Sequence, residues 1–128
     1  MCLFLLTLTC ILILAFPVWA SASIRSGVYL KAFCRAKTAD KVVYLTFDDG
    51  PAGAETEAVL DVLKARGAVA TFFIVGKNVT GQEPLLRRIL AEGHSVGIHT
   101  FSHANTFPFY SKRLMVNDIA ECKSILDR

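Results

Sequence analysis

The segment Val42-Val43-Tyr44-Leu45-Thr46-Phe47-Asp48-Asp49-Gly50-Pro51 carries two adjacent carboxylates at the end of an unbroken apolar and β-prone run, directly before a Gly-Pro turn. Such a run reads as a strand buried on both faces, the kind found in parallel sheets covered by helices. Gly50 admits backbone conformations closed to other residues, and Pro51 stops the strand from continuing. The aspartates thus fall where a strand gives way to a loop, the edge of α/β folds on which active sites are built. Taken alone, Asp-Asp-Gly-Pro is equally a good surface turn.

A second stretch adds chemistry to the first. His99-Thr100-Phe101-Ser102-His103 follows a short apolar strand and places two histidines four residues apart, able to present both imidazoles to one point. A carboxylate with two imidazoles is a three-ligand set of the kind used by catalytic zinc, with one position left open for water or substrate.

Between and after these motifs, strand-like and helix-like patterns alternate. Residues 55–66 place Ala58, Val59, Val62, Leu63 and Ala65 near helical spacing and close on Gly67. Residues 68–75 read as a second buried strand. A second helix lies within 78–93, with Leu85, Leu86, Ile89 and Leu90 as its apolar face and Gly93 as its stop. Residues 94–98 form a short third strand that delivers His99. Residues 112–126 read as a third helix, with Leu114, Met115, Ile119, Cys122 and Ile125 on one face. Three βα units imply parallel strands, the start of a barrel or of an open doubly wound sheet.

Thr46-Phe47-Asp48-Asp49-Gly50-Pro51 followed by His99-Thr100-Phe101-Ser102-His103 resembles the first two motifs of the polysaccharide deacetylases with a NodB-homology domain, carbohydrate esterase family 4. Ala68-Val69-Ala70-Thr71-Phe72-Phe73-Ile74-Val75-Gly76 also resembles that family's second strand. The resemblance runs from about Lys41 to the end of the chain. It implies an α/β fold made of the first three βα units of a distorted, NodB-like (β/α) barrel, incomplete here and preceded by an N-terminal apolar helix. It also implies that Asp49, His99 and His103 bind a divalent metal, zinc or else cobalt, nickel or manganese, while Asp48 is the catalytic base. The implied reaction is hydrolysis of N-acetyl groups on a polysaccharide. The implied partner is an N-acetylated glycan. The family's later motifs supply an arginine, an oxyanion-holding segment and an acid histidine, and they lie beyond the stretch matched here. The expectation is therefore a truncated chain with an incomplete catalytic site. A non-catalytic metal- or glycan-binding membrane protein derived from a deacetylase is the competing expectation.

Smaller features take their meaning from this frame. Thr100 and Ser102 read as hydroxyls that brace the loop, and His94 as a structural histidine. Ile98 stands where relatives often carry Asn. Phe107, Phe109 and Tyr110 either line a sugar-binding face or pack beneath the loop.

The 128 residues are 53% hydrophobic, and the excess is concentrated at the front. Residues 2–22 contain no charge and are long enough to cross a bilayer core of roughly 30 Å. They equally suit a cleaved signal peptide, because Ala20-Ser21-Ala22 has a small-x-small cleavage pattern, although no basic residue precedes the run. Residues 23–40 form a basic linker, with Arg25, Lys31, Arg35 and Lys37 against Asp40. Residues 41–128, the deacetylase-like domain, hold 10 basic and 10 acidic residues, so no basic patch speaks for nucleic acid. A membrane-anchored or exported protein with its domain on the extracytoplasmic side fits the resemblance, whereas the basic linker pulls toward the opposite orientation. Cys2 and Cys10 lie in the apolar run. Cys34 and Cys122 have no metal-type spacing and read as free thiols.

Overall fold

The computed structural model describes the chain except residues 1, 30, 33, 35–37 and 128, and except the side chains of residues 2, 3 and 24. The linker charges Arg35 and Lys37 lie outside the described residues. The chain divides into two compact units, Met1–Val42 and Val43–Arg128.

The first unit is dominated by helix α1, Cys2–Ala22, whose 21 residues span about 31 Å at 1.5 Å per residue. Within 4–22 only 6% of the helix is buried, so its Leu, Ile, Phe and Val side chains face outward all round. The hydroxyls of Thr7 and Thr9 donate to the carbonyls of Phe4 and Leu5, which ties the polar groups of the helix back to its own backbone. A short 3-10 turn, Ile24–Ser26, follows.

The second unit alternates β1 (Thr46–Gly50), α2 (Ala54–Ala65), β2 (Thr71–Ile74), α3 (Glu83–Ala91), β3 (Ser95–Ile98) and α4 (Lys112–Leu126). The strands form a parallel sheet in the order β1-β2-β3. Parallel neighbours need a crossover, and α2 and α3 supply the two, while α4 follows the last strand. Two helices stop in the same way. Gly67 (φ 58°) and Gly93 (φ 84°) take the left-handed conformation just past α2 and α3. Each helix end then closes with paired bonds, from Ala68 N–H to Leu63 O and Gly67 N–H to Lys64 O, and from His94 N–H to Ile89 O and Gly93 N–H to Leu90 O. This is the Schellman arrangement, which satisfies the last helical carbonyls.

The core lies between the sheet and helices α2 and α3. Leu60, Leu63, Phe72, Ile74, Leu85, Leu86 and Ile89 are buried there, and Phe47 stacks on Phe72 with ring centroids 5.2 Å apart. On the other side of the sheet, Phe73 lies over Gly97, its partner on β3. A Cβ at Gly97 would come within 2.5 Å of that ring, so the bare glycine makes room for it.

Several expectations are corrected in detail. The run 42–47 is not a strand buried on both faces: the strand starts at Thr46, and Val43 and Tyr44 are 80% and 71% exposed. The cause is its place in the sheet, because β1 pairs with β2 alone among the described strands. The buried face of α2 is set by Thr56, Leu60 and Leu63, while Val62 is exposed. In α3, Leu85, Leu86 and Ile89 are buried and Leu90 is exposed. In α4, Leu114 and Ile119 are exposed, and the buried positions are Asp118 and Cys122.

Candidate metal centre

Asp48 and Asp49 sit inside an irregularity of β1. Phe47 pairs with Phe72 and Gly50 with Ile74, so three steps along β1 match two along β2. Such a bulge re-aims side chains at the end of a strand. Asp49 has φ 66°, a left-handed conformation uncommon outside glycine and tolerated best by Asn and Asp. The result departs from simple alternation: the Asp49 carboxylate turns toward the histidines and that of Asp48 does not join them, while both residues line a hollow of about 190 Å³ with Phe47, Glu55 and Val59.

The turn is clamped from the segment before α3. The Asn78 side-chain amide donates to the Asp49 carbonyl at 2.9 Å. Gln82 accepts from Gly53 N–H at 2.7 Å and donates to the carbonyls of Asn78 and Pro51.

His99 leaves the end of β3, its N–H bonded to Ile74 O at 2.8 Å. The loop that follows contains two further left-handed residues, Thr100 (φ 64°) and His103 (φ 45°). Their conformations are held by several bonds. Thr100 O and Phe101 O accept from Gly76 N–H and Lys77 N–H, and Thr100 Oγ1 accepts from His103 N–H. The N–H groups of Phe101 and Ser102 both donate to the carboxylate of Asp118, at 2.7 and 3.1 Å. Burial works to raise the pKa of Asp118, but the Ser102 side chain and these two backbone donors outweigh it and hold the pKa below the ordinary value.

The outcome is a convergence of three donors. Asp49 Oδ1 lies 3.2 Å from His99 Nε2 and 3.1 Å from His103 Nε2. Two donor atoms sharing a tetrahedral ion at about 2.0 Å would lie roughly 3.3 Å apart, so the set fits a small divalent cation. The two imidazoles stack with centroids 5.1 Å apart, and all three ligand groups remain reachable from solvent. The three metal candidates read from the sequence therefore come together, and Asp48 stands beside them without joining the cluster.

Thr100 braces the loop through its hydroxyl as expected. Ser102 braces it through its backbone instead, and its buried hydroxyl has no hydrogen-bond partner of good geometry among the described residues. His94 is structural: it is 6% exposed and its Nδ1 accepts from Ala70 N–H. Phe107 and Tyr110 pack ring to ring at 5.5 Å, while Phe109 is 89% exposed. Asn78, Gln82 and Asp118 were missed by sequence reasoning. For Asp118 a signal was available, since it shares a helical stripe with Met115, Cys122 and Ile125.

Residues 35–128 match the polysaccharide deacetylase family, and the chain belongs to it. A peptidoglycan-N-acetylglucosamine deacetylase of Bacillus cereus is 44% identical over 86 residues, which cover 67% of this chain and 31% of that protein. A chitooligosaccharide deacetylase of Sinorhizobium fredii is 45% identical over 75 residues, covering 59% of this chain and 35% of that one. Among solved structures, peptidoglycan deacetylase PdaC from Bacillus subtilis superposes with a TM-score of 0.66 at 38% identity, over 70% of this chain and 44% of that one. The chain thus spans about a third of the length of these curated relatives.

Proposed function

We propose that this chain is the metal-binding part of a polysaccharide N-deacetylase, with Asp49, His99 and His103 as ligands of a divalent ion and Asp48 as general base. The observation that carries the reading is the convergence of one carboxylate oxygen and two imidazole nitrogens at the C-terminal edge of a parallel sheet, in a chain of this family. Two nitrogens and one oxygen suit zinc; cobalt, nickel and manganese are compatible with the same donors. A divalent ion held there supplies Lewis acidity, lowering the pKa of water from about 16 toward roughly 7 and polarising an amide carbonyl.

The placement of the two aspartates supports a division of labour between them. Asp49 is tied into the cluster and stays a fixed anion. Asp48 is exposed and outside the cluster, so its carboxylate is free to take a proton from the water that attacks the acetamido carbon. Acetate leaves and the sugar keeps an amine. The arginine, oxyanion-holding segment and acid histidine that complete the site by family resemblance belong to parts of the relatives that this chain does not span. The substrate is an N-acetylated glycan, a class supported by the names of the peptidoglycan and chitooligosaccharide deacetylases it resembles. Residues 1–22 serve as signal peptide or membrane anchor and residues 23–40 as linker, placing the domain from residue 41 outside the cytoplasm. The outward-facing apolar surface of α1 supports that role.

Cobalt titration tests the ligand set. The 128-residue chain in detergent should take up one equivalent of Co2+ and lose it on His103→Ala; a wild-type chain that binds none would sink the reading. Residues 41–128 substituted for the matching segment of the Bacillus cereus relative should release acetate from N-acetylglucosamine oligomers. Asp48→Asn in that chimera should stop release while Co2+ binding persists.

A further inference from the structure

We propose that Asp118, in the middle of α4, is a positioning residue for the metal centre: by binding the two backbone N–H groups between His99 and His103 it sets where His103 stands. The inference rests on the ligand reading above and goes beyond it, because Asp118 touches neither metal ligand.

The loop from His99 to His103 has to reverse within a few residues so that both imidazoles face one oxygen. It does so with Thr100 and His103 at positive φ, conformations that cost roughly 1–3 kcal/mol each and persist only where the surroundings over-determine them. The carbonyl side of the loop is fixed by Gly76 and Lys77. The N–H side depends on Asp118, whose Oδ1 and Oδ2 each take one donor, from Phe101 and Ser102 respectively. Two donors arriving at two oxygens call for an acceptor-only group, which is an ionised carboxylate. An asparagine would turn its own NH2 toward one of the N–H groups.

The arrangement is costly unless it serves the loop. Asp118 is only 8% exposed in a stripe otherwise suited to apolar packing, and its neighbour one turn on, Cys122, is fully buried. A carboxylate in such a place is stabilised by its hydrogen bonds, and the depressed pKa of Asp118 fits an anion held in that way. Groups that orient metal ligands from behind typically change metal affinity about 10–100-fold when altered.

The experiment is Co2+ titration of the full 128-residue chain, read by the visible absorption of the bound ion, alongside thermal melts. Asp118→Asn should bind Co2+ about 10–100-fold more weakly with an altered spectrum. Leu63→Ala, a core truncation near the C-terminal end of α2, should lower the melting temperature and leave affinity and spectrum unchanged. His103→Ala should lose the ion outright. If Asp118→Asn binds within twofold of wild type while His103→Ala does not bind, the positioning role is wrong. It is also wrong if Leu63→Ala weakens binding in the same proportion to its loss of melting temperature. A wild-type chain without Co2+ binding removes the ligand reading and this inference with it. Should Asp118→Asn fail to fold, Asp118→Glu keeps the charge but displaces the carboxylate by a methylene. It should still weaken binding several-fold, and unchanged binding would overturn the proposal.

Discussion

His99 and His103 stand ring on ring, 5.1 Å between centroids and 28° from parallel, and both turn Nε2 to the same oxygen of Asp49. Nothing in a four-residue spacing on a loop guarantees that overlap. It arises because His99 is fixed by β2 through Ile74, whereas His103 is fixed by a loop with two left-handed residues. The two histidines therefore respond to different parts of the fold.

His99→Ala removes one of three donors. Co2+ affinity, measured by titration, is expected to fall by more than about a hundredfold, beyond the range for groups that only orient a ligand. The melting temperature should change little, since the His99 side chain is 34% exposed and lies at the edge of the sheet.

Gln82→Ala removes three hydrogen bonds, to Pro51 O, Asn78 O and Gly53 N–H, and leaves Gly53 N–H without its acceptor. A stability loss of about 1–3 kcal/mol is expected in urea unfolding. Asn78→Ala removes one bond, to Asp49 O, and should cost about 1 kcal/mol.

Gly76→Ala introduces a Cβ 2.7 Å from the Phe101 ring and 3.2 Å from the backbone Cα atoms of both Phe101 and Cys122. The ring can turn, but the backbone atoms of the histidine loop and α4 cannot both yield. The variant should lose about 1–3 kcal/mol or more by overpacking and bind Co2+ more weakly. Unchanged Co2+ binding in a folded Gly76→Ala protein would contradict this account of the loop.

Asp118 also predicts a pH effect. Its folded pKa lies below the ordinary 3.8, so its contribution to stability is complete above that value and is lost as pH falls through the lower folded pKa. Melting temperature should therefore drop from slightly above pH 4 downward, and Asp118→Asn should flatten that part of the curve.

Burial raises the pKa of Cys122 despite opposing backbone hydrogen bonds from His99 and Gly76, and its thiol is shielded beneath Ile74 O. Iodoacetamide should label exposed Cys34 in the native protein and Cys122 only after unfolding.

The sequence made the alternation of strands and helices legible because Gly67 and Gly93 mark the helix stops and apolar runs mark the strands. The bounds of α4 at 112 and 126 were readable from apolar residues recurring at helical spacing from Leu114 to Ile125. The phase of the helices was not. In α2 and α4 apolar residues occupy both faces, and only the packing of the sheet decides that Leu60 goes in and Val62 stays out. The three metal candidates could be named from residue type and motif. Their mutual geometry could not, because it depends on a bulge in β1 and on Asp118, a residue whose meaning appears only when α4 lies under a loop 16 positions earlier in sequence.

The matched helix stops at Gly67 and Gly93 have a further consequence. They lie at the end of the sheet where strands begin, and Asp49, His99 and His103 lie where strands finish. A substitution that tightens either helix ending acts at the far end of the strands from Asp49, His99 and His103. The unit thus keeps the ledge where its helices are tied off apart from the rim where its carboxylate and imidazoles meet.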